Sequence, residues 1–228
     1  MNGVGRCGTF LATHQYWQHL EGNTGQPDSD IAKSPLRPKT HKAAEYHSRV
    51  FAAKVEGKLE EMAKLPVSVF VCGPSEPQDL LCKKKIDIVN ALRENSHDAM
   101  LGEEEVEELK QRDRASGRPV RLDNVYENEI ASAADVVVIL RGSPGSVAEF
   151  HEFFQNPNIE AKMYVFADGA HDAGYSSAGA LNMHELLQGK VVRYKSPDDI
   201  TNCTIKTRVQ EIVSNFQAAK WIRQQHIA

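Results

Sequence analysis

Two short apolar runs constrain the fold more than any other feature of this sequence. They are VSVFVC at residues 67–72 and DVVVIL at residues 135–140, and each leads into a turn rich in glycine and proline and then a helical pattern. Because both runs are apolar at nearly every position, they predict strands that are covered on both faces, as in a parallel sheet. Strands that alternate with helices through short links favour right-handed crossovers between parallel neighbours.

Weaker apolar patterns complete the predicted domain. Further strands are predicted at residues 97–101, 163–167 and 191–194. The predicted helices cover residues 80–92, 103–112 and 124–133, a segment ending at Phe154, and residues 205–225. We therefore predict a Rossmann/flavodoxin-like α/β fold, a doubly wound parallel sheet of about five strands.

Residues 1–65 differ in character from the rest of the chain. Gly22–Lys39 is rich in Gly, Pro, Ser and Asp, which is typical of a linker. Helices are predicted on either side of it, at Phe10–Leu20 and at Lys42–Leu65, with Pro66 marking the end of the second. We interpret residues 1–65 as a helical extension that docks on the main domain or on a partner, and residues 66–228 as the α/β domain.

Composition excludes several functional classes. A net charge of −4 argues against a surface devoted to nucleic acid, although Lys83, Lys84 and Lys85 form a small candidate basic patch. No run of about 18 apolar residues is present, so no membrane span is predicted, and the N-terminus lacks the pattern of a signal peptide. The four cysteines form no CxxC pair and the histidines lack metal-ligand spacing. We expect no metal, no cofactor and a reduced, cytoplasmic setting.

The predicted topology places two loops at the ligand site. Ligands of doubly wound sheets bind beyond the carboxyl ends of the strands, which are followed here by residues 73–76 and 141–146. In the second loop, Gly142 and Gly145 allow close approach of the backbone to a ligand, and the next helix offers unpaired amides. Glu149 then follows, and we predict it in the first helical turn, at the mouth of the cleft.

A carboxylate in this position suits glycosidic chemistry. When a nucleobase or nicotinamide departs, positive charge develops on the ribose, and Glu149 could stabilise or capture it covalently. The same residues allow a structural interpretation, because Ser146-x-x-Glu149 also matches a capping box. Glu152, one turn further along, is either a second acid of the site or a solvated charge.

The motifs together resemble a known family. VFVCGPS, a helix, and then ENEIASAADVVVILRGSPGSVAEFHEFF are similar to the nucleoside 2-deoxyribosyltransferase superfamily and its nucleotide N-glycosidase relatives, over about residues 67–213. The resemblance implies cleavage or transfer of the N-glycosidic bond of NAD or a nucleoside or nucleotide, with Glu149 as the nucleophile. The substrate-binding residues that it implies are Cys72, Gly73, Pro74, Ser75, Asp135, Ser143, Gly145 and Ser146.

The first loop departs from the pattern of that family. The glycine-rich arrangement of the nucleotide-hydrolysing members is absent, and Glu76 in this loop would repel a phosphate. A base would then be bound by residues 98–105, 124–129 or 168–179, where Tyr126 and Tyr175 could stack on it or simply pack. The polar segment 168–179 is interpreted either as a lid or as a surface loop.

A narrower resemblance concerns biological role. The VFVCG strand with SPGSVAEF resembles deoxyribosyltransferase-like effectors of bacterial retron defence systems. This resemblance implies toxic depletion of NAD or nucleotides, and a reverse transcriptase with its RNA–DNA hybrid as the partner; members of the superfamily are usually homo-oligomers. Two alternatives stay open, a metabolic nucleoside deoxyribosyltransferase or nucleotide hydrolase in salvage, and a catalytically silent nucleotide-binding sensor.

Overall fold

The structure, a computed structural model, describes residues 40–171, 179, 181–186 and 190–227. The chain divides into two units, residues 1–62 and 63–228. The described residues of the first unit, 40–62, belong to helix α1, Thr40–Ala63, which corresponds to the helix predicted at 42–65. The predicted helix at 10–20 and the linker at 22–39 lie outside the described residues, and the domain boundary at residue 65 stays a prediction.

The second unit alternates strands and helices, as the apolar pattern predicts. Its strands are β1 (Ser68–Cys72), β2 (Asp98–Leu101), β3 (Val136–Arg141), β4 (Met163–Asp168) and β5 (Lys190–Tyr194). Its described α-helices are α2 (Leu80–Glu94), α3 (Gly102–Ala115), α4 (Asp123–Ala133), α5 (Pro144–Phe154), α6 (Pro157–Glu160), α7 (Asn182–Leu186), α8 (Asp198–Thr201) and α9 (Thr204–Ile227). Within the described ranges, no helix combines the length and the apolar character needed to cross a membrane.

The five strands form one all-parallel sheet in the order β2-β1-β3-β4-β5. This confirms the predicted Rossmann/flavodoxin-like fold. The chain adds β2 on one side of β1 and then returns to place β3 on the other side, so the strand order reverses between β1 and β3. In such sheets the ligand cleft opens beyond the carboxyl ends of the strands at this reversal.

The two central strands are buried on both faces, which is why their sequences are apolar without alternation. Val69 and Val71 of β1 belong to the cluster that includes α2 and α9, whereas Phe70 belongs to the opposite cluster with α4 and α5. On β3, Val137 and Ile139 lie on the same side as Phe70. The sheet is thus a rigid, dry support for the loops at its carboxyl edge.

The structure also contains helices that the sequence pattern did not indicate. The short helices α6, α7 and α8 have four or five residues each, which is too short for a helical period to appear. Helix α3 is longer than predicted, beginning at Gly102 and ending at Ala115. None of these differences changes the order of the sheet or the position of the cleft.

Candidate active site

Two serines define the start of helix α5 beyond β3. Ser143 is the N-cap, and its Oγ accepts a hydrogen bond from the Ser146 amide at 3.2 Å. Ser146 Oγ in turn accepts from the amides of Ser143 (3.0 Å) and Gly142 (3.1 Å). This is a reciprocal capping box with serine in place of the usual glutamate, and Pro144 occupies the first helical position.

This cap corrects two expectations about Glu149. Because α5 begins at Pro144, Glu149 lies in the second helical turn and not in the first. The predicted capping box between Ser146 and Glu149 is also wrong, because Ser146 is itself the capping partner of Ser143. The capping-box explanation for the glutamate therefore fails.

Glu149 is half-buried, and one of its two carboxylate oxygens has no hydrogen-bond partner among the described residues. Its Oε2 atom is inaccessible to solvent and has no hydrogen-bond partner among the described residues. A buried polar atom without a partner costs free energy, so it needs a functional or structural reason. Burial, together with the nearby carboxylate of Glu127, raises the pKa of Glu149 to about 7, while the charge of Lys85 acts in the opposite direction.

Glu127 of helix α4 is a site residue that sequence reasoning did not single out. It is half-buried, and burial, followed by the negative charges of Asp123 and Glu152, raises its pKa. A Cβ atom added to Gly102 would lie 3.9 Å from Glu127 Oε1, so the carboxylate lies over the start of α3. The available signal was its position in segment 124–129, one of the three predicted to bind a base.

Lys85 of helix α2 lies buried beside the same cleft. Its side chain is 2% exposed, and its Nζ donates to Glu103 Oε1 at 2.5 Å and to the Gly73 carbonyl at 3.4 Å. Lys84 is also buried and donates to the Asn202 carbonyl at 2.8 Å. The predicted basic patch of three lysines is therefore wrong, because helical geometry turns two of them into the protein.

The predicted residues of the first loop divide into packed and exposed ones. Cys72 and Pro74 are buried, whereas Ser75 is exposed. Burial, followed by the charges of Glu149 and Glu127, raises the pKa of the Cys72 thiol well above its ordinary value, so the thiol is a poor nucleophile. Gly73 is closely packed, since a Cβ atom there would lie 3.1 Å from Leu140 Cβ and the neighbouring atoms would have to move slightly to accept it. Substrate contact by this loop stays a prediction.

Asp135 lies at the other edge of the sheet, which corrects its predicted role in substrate binding. It precedes β3, and its Oδ2 accepts hydrogen bonds from the Ser68 amide (3.1 Å) and from Lys220 Nζ (2.8 Å). The six residues of β3 separate it from the cleft by about 20 Å at roughly 3.3 Å per residue. Its carboxylate joins the amino ends of the two central strands.

The second loop offers fewer free hydroxyl groups for substrate binding than predicted. Ser146 is 1% exposed, and its hydroxyl is saturated, since it also donates to the Ser143 carbonyl at 3.0 Å. Ser143 Oγ and the exposed Gly145 stay accessible candidates for substrate binding. Glu152 is engaged elsewhere, accepting from the side-chain amides of Asn124 (3.2 Å) and Asn128 (2.6 Å).

Of the two candidates for stacking on a base, the structure describes Tyr126, which it does not bring to the cleft. Tyr126 is fully buried, and its hydroxyl donates to Asp113 Oδ2 at 2.7 Å, so the ring belongs to the core. Tyr175 lies outside the described residues, as does most of the predicted lid. In the part of the chain that the structure describes, no group of three or more His, Cys, Asp or Glu side chains could hold a metal ion.

The candidate site thus combines the acidic side chains of Glu127 and Glu149 with the buried ion pair between Lys85 and Glu103, near the reversal of strand order. Comparison with known proteins assigns the chain to a family. The sequence profile described as STM3845 retron effector protein matches residues 84–226, which is more than half of the chain and includes both Glu127 and Glu149. No curated protein matches the chain. On the extent of the profile match, the chain belongs to the STM3845 retron effector protein family.

Proposed function

We propose that this chain is an N-glycosidase that acts as the toxic effector of a retron defence system. The observation that carries the proposal is the Oε2 atom of Glu149, which is buried and has no hydrogen-bond partner among the described residues. It lies on the helix that follows β3, at the edge of the sheet where doubly wound folds bind ligands. Membership of the retron effector family supports the defence role.

The proposed reaction has two steps at the anomeric carbon. In the first, a carboxylate oxygen of Glu149 bonds to C1′ of the ribose while the bond from C1′ to the base nitrogen breaks, and its electron pair leaves with the base. In the second, water or another acceptor attacks C1′ and releases the Glu149 carboxylate, as in retaining glycoside hydrolysis. Nicotinamide leaves NAD as a neutral molecule and needs no proton, whereas a nucleobase leaving group needs one.

Glu127 is the proposed donor of that proton. Its raised pKa keeps a fraction of the carboxyl group protonated nearer to neutral pH than an ordinary glutamate allows. In the second step the resulting carboxylate would accept a proton from the attacking water. The carboxylate of Glu127 raises the pKa of Glu149, so protonation of Glu127 favours the ionised form of Glu149 that the first step requires.

The substrate is proposed to be NAD or a nucleoside or nucleotide. The excess of carboxylates in the cleft and the exposed Glu76 in the first loop favour a base end that carries positive or no charge over a phosphate at this position. A reverse transcriptase with its RNA–DNA hybrid is the proposed partner that holds the effector inactive, and the active form is proposed to be a homo-oligomer.

The test is to follow base release by three glutamate variants. Purified wild type, Glu149→Gln, Glu127→Gln and Glu152→Gln are incubated with NAD and with a panel of nucleosides and nucleotides, and free base or nicotinamide is measured by chromatography. We expect Glu149→Gln to lose on the order of 10³-fold or more and Glu127→Gln about 10²-fold. Glu152→Gln is the matched control, because it changes a carboxylate of the same helix that is bound by two asparagines.

Each outcome separates the alternatives. Equal base release by wild type and Glu149→Gln would remove this residue from the mechanism. Release from nucleosides with transfer to a second base, and none from NAD, would favour the salvage enzyme. Nucleotide binding without base release, in the free chain and in its complex with the retron components, would favour the silent sensor.

A further inference from the structure

A second groove lies at the amino edge of the sheet, on the far side from the candidate active site. It has a volume of about 310 Å³ and is formed by the starts of β3, β4 and β5 and by the second half of α9. Strands β3 and β4 have six residues each, so about 20 Å separates the groove from the cleft, at roughly 3.3 Å per residue. The charged residues that line it are Lys162, Lys190, Arg223 and Asp135.

The groove is basic although the chain as a whole is acidic. Three cations and one carboxylate line it, in a chain with a net charge of −4. The carboxylate, that of Asp135, is already paired, since its Oδ2 accepts a hydrogen bond from Lys220 Nζ at 2.8 Å. Lys190 and Arg223 are exposed, and neither forms an ion pair with a carboxylate of the described residues. A concave surface with this excess of positive charge attracts anions.

The two lysines of the groove are held by uncharged groups. Lys190 is the first residue of β5, pairs in register with Tyr164 of β4, and places its Nζ 4.3 Å from the centroid of the Tyr164 ring. Lys162 Nζ donates to the carbonyls of Ser132 at 2.7 Å and Ala134 at 2.5 Å, which leaves one of its three protons. Both positive charges therefore stay available to an anionic ligand.

Aromatic rings form another part of the lining. Tyr164 and Phe216 are half-buried, and both pack against the core cluster that includes α2 and α9. The exposed Asn215 adds a side-chain amide, which can both donate and accept hydrogen bonds. Ammonium and guanidinium groups bind phosphate, and bases stack on aromatic rings. Cations and rings in one groove fit a nucleotide better than a bare anion.

We propose that this groove is a nucleotide-binding site separate from the candidate active site. Lys190, Arg223 and Lys162 bind the phosphate groups. The rings of Tyr164 and Phe216 contact the base. The nucleotide is either free or a unit of a single-stranded nucleic acid, because both present the same phosphate and base. The site is independent of the proposed function, since none of its residues belongs to the candidate active site.

The experiment measures binding of a fluorescent deoxythymidylate strand of about ten nucleotides to the full chain, with AMP and inorganic phosphate as competitors. We expect Lys190→Gln and Arg223→Gln each to weaken binding about tenfold. Each should also reduce the slope of log affinity against log salt by about 0.7. Asp135→Asn, which removes the carboxylate of the groove, should bind the strand more tightly.

Phe216→Leu tests the contact with the base. It keeps an apolar side chain but removes the ring, and we expect the affinity for the strand and for AMP to fall about fivefold or more. Competition by inorganic phosphate should be the same in this variant as in wild type. Inorganic phosphate that competes as strongly as AMP in wild type would overturn the assignment to a nucleotide.

Lys83→Gln is the matched control. Lys83 is an exposed lysine in the first turn of α2, which follows β1 at the opposite edge of the sheet. We expect the affinity and the salt slope of this variant to equal those of wild type. A loss as large as that in Lys190→Gln would overturn the inference. Equal affinity of wild type and the double variant Lys190→Gln/Arg223→Gln would also overturn it, as would the absence of binding to both the strand and AMP at low salt.

Two supporting outcomes identify the source of the nucleotide. AMP that displaces the strand with an affinity similar to that of the strand itself indicates a site for free nucleotides. A strand affinity about 100-fold or more above that of AMP indicates a nucleic-acid strand, because further nucleotides then add phosphate contacts along the groove. In both cases the loss in Lys190→Gln and Arg223→Gln is required.

Discussion

The two ends of strand β3 place similar acidic side chains in opposite situations. Asp135, before the strand, accepts hydrogen bonds from a backbone amide and from the ammonium group of Lys220. Glu149, on the helix after the strand, has a buried oxygen without a partner among the described residues. The side chains differ by one methylene group, so their surroundings and not their chemistry separate their roles.

The comparison shows that the carboxylates at the two edges of the sheet differ in how completely they are hydrogen-bonded. At the amino edge of the sheet the carboxylate is satisfied and joins β1 to β3, which contributes to stability. At the carboxyl edge the carboxylate is crowded by like charges and incompletely bonded, which costs stability and leaves it reactive. Substitutions at the two ends should therefore have opposite effects on the free energy of unfolding.

The largest predicted effect is an increase in the free energy of unfolding of the Glu149→Gln variant at pH 8. The folded-state pKa of Glu149 is about 7, above its ordinary value of 4.5, so the folded protein binds the proton more tightly than the unfolded chain. The wild-type free energy of unfolding should then fall as pH rises from about 4.5 to 7, by about 3 kcal/mol from this group. Urea unfolding at pH 5 and at pH 8 measures this change in the free energy of unfolding.

Glutamine cannot ionise, so the free energy of unfolding of Glu149→Gln should not fall in this way as the pH rises. We expect it to be more stable than wild type at pH 8, with a smaller difference at pH 5. Parallel pH profiles for the two proteins would mean that the Glu149 carboxyl group is not held in an unfavourable environment, and the comparison with Asp135 would fail.

A smaller effect, a decrease in the free energy of unfolding, is predicted for Asp135→Ala. The change leaves the Ser68 amide and the Lys220 ammonium group without their shared acceptor, and we expect a destabilisation of about 1–3 kcal/mol. Thermal or urea unfolding checks this value. Lys220→Met should lose part of the same energy, and the double variant should lose less than the sum of the two single changes. Loss of base release without loss of stability would instead return Asp135 to the active site.

The smallest effect on the free energy of unfolding is predicted for the loss of the cap at the start of α5. Ser146→Ala removes a hydroxyl that accepts from two amides and donates to a carbonyl, and we expect a destabilisation of about 1–2 kcal/mol. Ser132→Ala, an exposed helical serine, is the control and should change stability by less than about 0.5 kcal/mol. If the two variants unfold alike, the cap does not define the start of α5.

The fold could be predicted because its determinants are local. Strands β1 and β3 are buried on both faces, so their sequences carry an apolar signal at every position. The turns and helices between them follow at short distances, which favours right-handed crossovers between parallel strands, whereas the order of the strands was not predicted. The short helices α6 and α8 carry no such period and could not be found in this way.

The candidate active site was only partly predictable because its determinants are not local. Glu149 stood out through its position after β3, but Glu127 looks like any polar residue on the surface of a helix. Lys85 lies in a run of three lysines, and nothing in the sequence tells which of them points into the protein. The start of α5 was misjudged because two serines of the same loop both fit a capping position.

The close contact between Gly73 and Leu140 has a consequence for variation at this cleft. A Cβ atom at position 73 would lie 3.1 Å from Leu140 Cβ and 3.3 Å from the Leu140 carbonyl oxygen. At Gly145 an added Cβ would meet only Ser143 Oγ, at 3.8 Å. In a saturation library, position 73 should therefore tolerate exchange less well than position 145. On the β3 side of the cleft, room for new side chains lies at Gly145 and not at Gly142, where an added Cβ atom would lie 2.3 Å from Leu81 Cδ1.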